Sequence, residues 1–516
     1  MGKSLVDALL EPSAWPQPVA ELTRIETHIS WVFLTGEFAY KIKKPLALEF
    51  LDFSTLELRR HWCEEEVRLN RRWAPGLYAG VVAITGTGTA PVVGGGGPAI
   101  EYAVKMRQFP QSALLSEQLR AGELLDADVV ELAEMIADRH ANAPAVTAER
   151  FGALPAIQKP MDENFLYLKP WLAADDYACF EAWTHTELQQ CRALLDARRR
   201  GGYVRRCHGD LHLRNLVRLD DGIVAFDCIE FSEELRTLDV ISDLTFLSMD
   251  LIASGRDDLA WTLLNRYLEL TGDYDGMRLY GLYHVYHCMI RAKVAAILAG
   301  ERNDDRDRQA DLEAMHHYCD VARAWIERAS PALIVMHGLS GSGKTWVSSR
   351  LAADLTAVRA RSDIERKRLC GLDELAATDS PPGAGRYGAA ASKAPYSRLL
   401  EIAGALLAAG HRVILDATFL RSDDRSNARA VAAARGLPVV IVAVEAADDW
   451  LGASVRRRQV QGTDASEGDA GVLEYQRRLV EPVNDVSEGP VIRFRNGPGA
   501  DTATLAKAVG SLLKAE

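Results

Sequence analysis

One glycine-rich segment, Gly338-Leu339-Ser340-Gly341-Ser342-Gly343-Lys344-Thr345, constrains the fold of this chain more than any other feature. It matches GxxxxGK[ST] at every fixed position, and it lies between the apolar run PALIVMHG and the helical pattern TWVSSRLAADL. In that pattern Val347, Leu351 and Leu355 share one helix face. A strand, a glycine-rich turn and a helix N-terminus together point backbone N–H groups at a phosphate. The segment therefore predicts a phosphate-binding loop in an α/β domain rather than an ordinary tight turn.

The positions of this loop have separate predicted roles. Lys344 is expected to reach the β- and γ-phosphate oxygens of a nucleotide and to stabilise developing charge, and Thr345 is expected to hold Mg²⁺. Glycines allow the backbone to turn inward on the phosphate. The residues expected to contact the nucleotide are Gly338, Ser340, Gly341, Ser342, Gly343, Lys344 and Thr345.

Polar residues also follow the next apolar runs of this half of the chain. RARSD places Asp363 near the end of a second strand, where a carboxylate can accept the proton of an acceptor hydroxyl. Arg366, one helical turn later, could hold an anionic part of that acceptor. VILDATF places Asp416 at the end of a hydrophobic strand, where it suits Mg²⁺ or a water bound to Mg²⁺. Strands that alternate with helices predict a parallel sheet from about residue 331 onward.

An arginine cluster, Arg456, Arg457 and Arg458, precedes the polar stretch QVQGTDASEGD. It predicts either a lid whose first arginine contacts the transferring phosphate or a solvated helix face. With these motifs in place, residues 331–516 resemble the P-loop kinases related to gluconate kinase, zeta toxin and polynucleotide 5′-hydroxyl kinase. The resemblance implies ATP and Mg²⁺ as cofactors, and the segment S-D-x-x-R at 362–366 is most similar to the acid and arginine of the polynucleotide kinase.

A second motif, HGDLHLRNLV at 208–217, is unrelated to the first. Asp210 and Asn215 have the D-x-x-x-x-N spacing of a kinase catalytic loop, and Asp227 follows after a strand, a turn and a strand. Kinase-type phosphoryl transfer uses an acid beside the acceptor hydroxyl and an amide and a second acid on the metal. Asp210 is therefore the predicted base, and Asn215 and Asp227 are the predicted metal ligands.

The segment FAYK supplies a candidate for the lysine that aligns the nucleotide phosphates. Ala39 and Lys41 alternate like the Ala and Lys of V-A-I-K, so both point to one side of the strand. Lys43 shares that side and is an alternative. The phosphate-aligning lysine, whichever of the two it is, is expected to pair with a glutamate from CEEEVRLN, either Glu66 or its neighbour Glu65. Backbone groups from about 106 to 108 are expected to contact the adenine base.

Residues 28–325 are therefore similar to the aminoglycoside phosphotransferase-like family of the protein-kinase-like fold. This resemblance implies a bilobal kinase domain and a small-molecule acceptor with a free hydroxyl. The sequence departs from the kinase pattern because it has no G-x-G-x-x-G, and only the turn Thr35-Gly36-Glu37 is available over the phosphates. Asp227 is followed by Cys-Ile rather than Phe-Gly, which disfavours a protein-substrate kinase.

Acidic residues after Asp227 allow two interpretations. They could form a cluster that binds a polycationic acceptor, or Asp239 and Asp243 could cap the next helix and brace the catalytic loop. The cluster comprises Glu230, Glu233, Glu234, Asp239 and Asp243.

Composition limits the remaining possibilities. A net charge of −12 argues against a general nucleic-acid binder, although it leaves room for a local basic pocket. No apolar run is long enough for a membrane span, and the N-terminus lacks the apolar core of a signal peptide, so a cytoplasmic protein is expected. The eight cysteines include no CxxC pair and are expected to be reduced, mostly buried thiols.

The predicted fold class is α/β and α+β, with a bilobal protein-kinase-like domain followed by a P-loop NTPase domain that has a parallel sheet. Residues 1–110 form the small lobe, 111–329 the helical large lobe with the catalytic loop, and 330–516 the P-loop kinase domain. The glycine-rich GTGTAPVVGGGGP is expected to be a hairpin loop, and the charged stretch after residue 300 a solvated loop before a last helix.

The predicted function is a pair of ATP- and Mg²⁺-dependent phosphotransferases that act on hydroxyl groups of small molecules. Three alternatives remain. One domain could be catalytic and the other a regulatory ATP-binding module, or the P-loop half could phosphorylate 5′-hydroxyl ends of nucleic acid. An assembly or signalling ATPase is the third alternative. Neither acceptor nor the oligomeric state follows from these patterns.

Overall fold

A computed structural model of the chain describes residues 4–19, 21–48, 51–328, 330–376, 389–461, 465–466 and 468–513. The chain divides into two compact units. The first comprises Met1–Glu131, Asp138–Met161 and Arg192–Asp250, and the second comprises Leu132–Ala137, Asp162–Cys191 and Leu251–Glu516. The predicted domain boundaries at 110/111 and 329/330 stay predictions, and residue 329 lies outside the described residues.

The strands and helices are numbered in chain order. The strands are β1 (Thr23–Glu26), β2 (Ser30–Leu34), β3 (Phe38–Lys43), β4 (Ala47–Leu48), β5 (Leu51–Asp52), β6 (Tyr78–Thr87), β7 (Ala90–Val93), β8 (Glu101–Arg107), β9 (Val204–Arg206), β10 (Leu216–Leu219), β11 (Gly222–Ala225), β12 (Thr237–Asp239), β13 (Leu333–His337), β14 (Ala357–Arg361), β15 (Arg412–Asp416), β16 (Val439–Glu445) and β17 (Val491–Arg495). The α-helices are α1 (Leu5–Ala8), α2 (Leu56–Asn70), α3 (Leu115–Ala121), α4 (Asp126–Asn142), α5 (Leu154–Leu168), α6 (Ala174–Arg200), α7 (Glu233–Arg236), α8 (Val240–Ala253), α9 (Asp257–Thr271), α10 (Tyr280–Glu301), α11 (Asp305–Ile326), α12 (Lys344–Asp354), α13 (Ser362–Leu369), α14 (Ala389–Ala408), α15 (Ser422–Ala433), α16 (Asp448–Gln461), α17 (Ala470–Leu479) and α18 (Thr502–Leu512). Short 3₁₀ helices lie at Pro12–Ala14, Gln111–Ala113, Leu213–Asn215 and Tyr274–Leu279.

The first unit contains an antiparallel sheet with the strand order β1-β2-β3-β8-β6-β7. Side chains alternate along a strand, so β3 contributes to two layers. Tyr40 and Ile42 pack in the hydrophobic layer on one face. Ala39 packs on the other face with residues of α2, and Lys41 and Lys43 lie on that same side. The strand thus delivers both lysines to the helix that carries the candidate glutamates.

Two small antiparallel ladders hold the segment around the predicted catalytic loop in this unit. β9 pairs with β12, and β10 pairs with β11. The loop 207–215 connects β9 to β10, so its ends are fixed by both ladders. The strand-like pieces predicted within 203–231 are therefore present, and they position the polar residues between them.

Two segments refine the sequence-based expectation. Within the expected hairpin loop, Ala90–Val93 forms the edge strand β7 and pairs with β6, since its apolar side chains extend the sheet. In the charged stretch after residue 300, the expected loop is short, residues 302–304, and the expected last helix, α11, begins at Asp305. The carboxylate of Asp304 caps this helix by accepting N–H groups of its first turn. A run of charges was therefore the exposed face of a helix.

The second unit contains a sheet of five parallel strands in the order β14-β15-β13-β16-β17, which confirms the predicted parallel sheet. Every residue of the central strand β13 is buried. Val347 and Leu351 of α12, together with Leu355 at its end, pack in the core of this sheet as their spacing predicted. Carboxyl ends of parallel strands meet at one edge, which brings the segments after β13, β14 and β15 together.

No helix within the described ranges has both the length and the apolar character that crossing a membrane requires. The eight cysteines, all of which lie in described ranges, are free thiols, and only Cys179 and Cys370 are exposed.

Candidate active sites

In the first unit, Asp210 and Asn215 lie side by side in the loop between β9 and β10. The amide Nδ2 of Asn215 donates to the carboxylate Oδ2 of Asp210 at 2.9 Å and to its backbone oxygen, also at 2.9 Å. With Nδ2 engaged in this way, the carbonyl Oδ1 of Asn215 is the atom suited to a cation. The spacing of five residues thus becomes a direct contact between the predicted base and a predicted metal ligand.

Two histidines fix the shape of this loop. His208 Nε2 lies 3.0 Å from the backbone oxygen of Phe226, and its Nδ1 accepts the N–H of Asp210 at 3.3 Å. This pattern requires the proton on Nε2. Burial, the largest influence, lowers the pKa of His208, so the ring is neutral at pH 7. His212 Nδ1 likewise accepts the N–H of Arg214 at 3.2 Å, so the proton lies on Nε2, and this nitrogen is 3.4 Å from Asp210 Oδ2.

Asp243, on α8, braces the same loop from below. Its carboxylate accepts the backbone N–H groups of His208 at 3.1 Å and of Gly209 at 2.8 Å. Burial alone would raise the pKa of Asp243, but hydrogen bonds, with His140 the strongest, hold it below its usual range. Asp239 forms two hydrogen bonds with Arg198, at 2.7 and 2.8 Å. Both carboxylates thus form hydrogen bonds within the fold, which favours the bracing interpretation over a site for a polycationic acceptor.

Asp227 follows β11 and reaches the same region. Phe226 donates its N–H to the backbone oxygen of Asn215 at 2.9 Å, so the two predicted metal ligands lie on adjoining backbone segments. Asp227 has φ +61°, a left-handed conformation that is uncommon outside glycine. The hydroxyl of Tyr78 accepts its N–H at 3.0 Å and stabilises this conformation. Its carboxylate forms an ion pair with the ammonium of Lys41.

Both candidate lysines are buried and share one glutamate. Lys41 Nζ lies 3.1 Å from Glu66 Oε1, and Lys43 Nζ lies 2.7 Å from Glu66 Oε2. Lys43 also pairs with Glu230. Burial would raise the pKa of Glu66, but the two ammonium groups lower it to about 2. Lys41 is the lysine that contacts Asp227, whereas Lys43 joins Glu66 to Glu230.

Glu65, the alternative partner, points away from both lysines. Its carboxylate pairs with Arg68 on the same helix at 2.6 Å, at the surface. The structure therefore selects Glu66, because only one helix face of α2 lies against β3.

We expect Glu66→Gln to destabilise the first unit by about 3–5 kcal/mol, because it leaves two buried ammonium groups without their shared carboxylate. The matched variant Glu65→Gln removes only an exposed pair and should cost less than about 1 kcal/mol. Amide hydrogen exchange of β3 and α2, measured against urea concentration, reports the free energy of opening. Equal effects of the two variants would contradict this arrangement of the lysines and Glu66.

The turn expected over the phosphates, residues 35–37, connects β2 to β3, and its role stays a prediction. The central glycine of the 35–37 turn donates its N–H to the side chain of Gln108 at 2.9 Å, beside the end of β8. Lys43 lies opposite Ser30 in the neighbouring strand. The turn at the Lys43 end of these strands is therefore 27–29, between β1 and β2, whereas Lys41 lies opposite Val32 in the middle of β2. Strand register decides this, and register does not follow from composition.

In the second unit, the loop 338–345 has the backbone that its glycines predict. Gly338, Gly341 and Gly343 have φ values of +143°, +83° and +87°. A Cβ on Gly341 would lie 2.6 Å from the backbone oxygen of Leu451, so only glycine fits there. The loop carries α12 directly after it, with its N-terminus at Lys344. A glycine-rich turn that leads directly into a helix N-terminus is an arrangement that suits an anion.

The side chains of the loop also suit a phosphate group. Lys344 is buried, and its Nζ donates to the backbone oxygen of Leu339 at 2.8 Å. The hydroxyl of Ser342 is buried and has no hydrogen-bond partner among the residues that the structure describes. The N–H of Ser340 donates to Gln476 of α17 at 2.8 Å. A buried hydroxyl without a partner beside an enclosed ammonium fits a phosphate group.

We expect Gly341→Ala to abolish nucleotide binding at this loop, since the added methyl group overlaps a backbone oxygen and cannot move aside. Gly371→Ala is the matched control, because Gly371 also has a positive φ, +65°, but a Cβ there meets no described atom within 4 Å. The control should lose about 1 kcal/mol of stability and retain binding. Calorimetric titration with ADP measures both variants. Retained binding in Gly341→Ala would exclude the loop as a phosphate site.

A cavity of about 850 Å³ opens at this loop, a size that accommodates a nucleotide and part of an acceptor. Lys344, Thr345 and Asp416 line it, and so does Asp363, in the first turn of α13. Asp363 forms an ion pair with Arg366, the predicted acceptor-binding arginine. Asp416 Oδ2 accepts a hydrogen bond from Ser348 of α12 at 2.9 Å.

The arginine cluster is placed differently from the expectation. Arg457 and Arg458 are among the described residues that line the cavity, but Arg456 is exposed on α16 and is not. Arg458 donates to the backbone oxygen of Gly468 at 2.7 Å. Successive helix residues are rotated by about 100°, so Arg456 and Arg458, two positions apart, lie on nearly opposite sides of α16. Residues 462–464 and 467 of the polar stretch lie outside the described residues.

Comparisons with known proteins match two separate family models to the two parts of the chain. Residues 111–280 match the model of the "Phosphotransferase enzyme family", and residues 333–483 match the model named "AAA domain". Uncharacterized proteins of Mycobacterium bovis and Mycobacterium tuberculosis are 29% identical over 453 residues, which cover 87% of this chain and 88% of theirs.

Solved kinase structures resemble each part of the chain separately. A choline kinase from Cryptosporidium parvum is 11% identical and is covered to 90%, against 60% of this chain, with a TM-score of 0.38. The APS kinase of Mycobacterium tuberculosis is 21% identical and is covered fully, against 36% of this chain, with a TM-score of 0.26. The family models confirm the resemblance that the motifs predicted, because one segment of this chain matches the phosphotransferase model, another matches the AAA-domain model, and both regions are kinase-like.

Proposed function

We propose that the chain is a bifunctional ATP-dependent phosphotransferase, in which each site transfers the γ-phosphoryl group of ATP to a hydroxyl group of its own small-molecule acceptor. One observation carries the proposal. Each unit independently gathers a buried lysine and carboxylates at a site suited to phosphate, Lys41 with Asp227 in the first and Lys344 with Asp416 in the second. ATP supplies the phosphoryl group, and Mg²⁺, when bound, neutralises charge on its oxygens.

In the first site, Asp210 accepts the proton of the acceptor hydroxyl. Asn215 and Asp227 offer oxygen ligands for Mg²⁺, and their donor set suits that hard cation. Lys41 aligns the phosphates, and Glu66 holds Lys41 in place through the 3.1 Å ion pair. Because the histidines and Asp243 already fix the loop, the base is positioned before the acceptor binds.

In the second site, the loop 338–345 binds the phosphates, and Lys344 stabilises the charge that develops on them. Thr345 and Asp416 offer oxygen ligands for Mg²⁺. Asp363, which also lines the cavity, is the proposed base, and Arg457 and Arg458 contact the transferring phosphate. The role in phosphate contact passes from Arg456 to these two neighbours because only they line the cavity.

A second candidate function concerns the acceptor of the P-loop site alone. The described residues that line its cavity include six cationic side chains and three carboxylates, which favours an acceptor that carries negative charge. The cationic residues are Lys344, Arg361, Arg366, Arg421, Arg457 and Arg458, and the acidic ones are Asp363, Asp416 and Asp424. A 5′-hydroxyl end of nucleic acid is one such acceptor, and an assay with labelled oligonucleotides distinguishes it from small anionic metabolites.

A metabolite-extract screen with γ-labelled ATP tests the proposed function. The full-length chain should label at least two acceptors, one lost in Asp210→Asn and another lost in Lys344→Ala. If both variants lose the same single product, one unit is a regulatory nucleotide-binding module rather than a second enzyme. Absence of any labelled product in wild type would count against both activities.

A further inference from the structure

Helix α9 belongs to the segment that matches the phosphotransferase family, yet its polar side chains are bonded to the P-loop sheet within the second compact unit. Asn265 donates through Nδ2 to the backbone oxygen of Ala357 at 3.0 Å and accepts the N–H of Arg359 at 2.7 Å. These bonds close the outer edge of β14, which is the last strand on its side of the sheet. The helix therefore behaves as a part of the P-loop fold.

One turn further along α9, Glu269 is buried with an exposure of 4%. Its Oε1 lies 2.6 Å from Arg359 Nη2, and its Oε2 lies 3.6 Å from Arg361 Nη1. Burial would raise the pKa of Glu269, but the two guanidinium groups hold it below its usual range. The carboxylate is thus ionised at pH 7 and balances two arginines at the end of β14.

Both arginines contact residues of the proposed nucleotide site. Arg359 Nη1 donates to the backbone oxygen of Thr345 at 3.0 Å and lies 3.3 Å from the hydroxyl of Ser348. Arg361 lines the cavity, and its Nε lies 3.8 Å from Oδ2 of Asp416. Glu269 itself is not among the described cavity-lining residues, so it acts through the arginines.

Arg361 is therefore shared between two carboxylates, one of which is the proposed metal ligand. We propose that Glu269 is a positioning residue of the P-loop site, which draws Arg361 from Asp416 and so keeps Asp416 available to a divalent cation. This inference rests on the proposed function of that site. Without the charge of Glu269, Asp416 becomes the stronger attraction for Arg361, and a charge-assisted Arg–carboxylate pair competes with the cation.

Calorimetric titration of the full-length chain with ADP, over a series of Mg²⁺ concentrations, tests the inference. Binding that is lost in Lys344→Ala defines the P-loop site. In Glu269→Gln, the Mg²⁺ concentration that gives half of the metal-dependent gain in ADP affinity should rise about tenfold, as for other residues that support metal ligands. Metal-free ADP affinity should change less than twofold, and Glu269→Asp should recover part of the loss.

The matched control is Glu374→Gln, which removes the 2.7 Å ion pair of Glu374 with Arg266 on the same helix as Glu269. It should leave the Mg²⁺ dependence unchanged. Arg361→Met retains the Arg359–Glu269 pair, so it tests the mechanism in a chain whose buried carboxylate stays paired. It should bind Mg²⁺ at least as well as wild type, and it should restore Mg²⁺ affinity when combined with Glu269→Gln.

Three outcomes would overturn the inference. Glu269→Gln could weaken ADP binding equally with and without Mg²⁺, or Glu374→Gln could reproduce its effect, and either result would indicate a structural role only. Arg361→Met could lower Mg²⁺ affinity, which would show that Arg361 does not compete for Asp416. A Lys344→Ala chain that binds ADP as wild type does would instead overturn the proposed function of the loop, and the inference with it.

Discussion

Asp210→Asn should reduce phosphoryl transfer at the first site by about 10²- to 10⁴-fold while leaving transfer at the P-loop site unchanged. The substitution keeps the size of the side chain and removes its ability to accept a proton. Asn215, His212 and the bracing acid Asp243 remain in place, so the loop should retain its shape. The loss should therefore fall on kcat, with little change in KM for ATP, in steady-state assays of each acceptor.

Asp220→Asn is the control for this variant, because Asp220 lies in the adjacent turn between β10 and β11 and forms an exposed pair with Arg107. Its activity should match that of wild type. If Asp210→Asn retained full turnover, the contact between Asp210 and Asn215 would serve the structure alone. A loss of both activities would show that the two sites depend on each other.

Lys344→Ala should lower kcat/KM at the P-loop site by about 10²- to 10³-fold, the usual cost of removing one donor aimed at developing charge. The ammonium is enclosed at the end of the loop, where the surroundings are poorer in water and its charge acts more strongly than at the surface. The first-site product should form at the wild-type rate. Parallel assays of the two acceptors on one preparation measure both quantities.

Lys507→Ala is the corresponding control, since Lys507 is exposed on α18 of the same unit and lies far along the chain from the loop. It should change neither activity. If Lys344→Ala kept normal kcat/KM, Lys344 would be only a part of the loop's packing. Its 2.8 Å bond to Leu339 would then serve the structure of the loop.

Sequence motifs were sufficient to predict site residues wherever the chemistry depends on residues that are close together in the chain. The 338–345 loop is such a case, because the positive φ values that it needs restrict the residue type to glycine at fixed spacing. The pair Asp210 and Asn215 is another, since five residues of loop bring both side chains together. Alternating residues on β3 likewise placed Lys41 and Lys43 on one side.

Sequence motifs could not select between neighbouring candidate residues where the selection depended on helix rotation, strand register or contacts with distant segments. The choice of Glu66 over Glu65, and of Arg457 and Arg458 over Arg456, follows from which helix face meets the rest of the unit. Strand register decided which turn lies at the Lys43 end of β3. A single charged side chain or glycine turn carries no local signal for such contacts.

Glu269 is the site residue that the sequence motifs were least able to predict. It is 92 residues before Arg361 in the chain, on an amphipathic helix where a glutamate is ordinary, and no spacing relates it to the glycine-rich loop. Only folding of α9 against β14 brings its carboxylate to the two arginines. The sequence by itself determined the two kinase-like regions and the residue types at each centre, because backbone conformation and metal ligation restrict those types locally. The tertiary structure decided which charges share a partner, because electrostatic interactions depend on distance through space rather than along the chain.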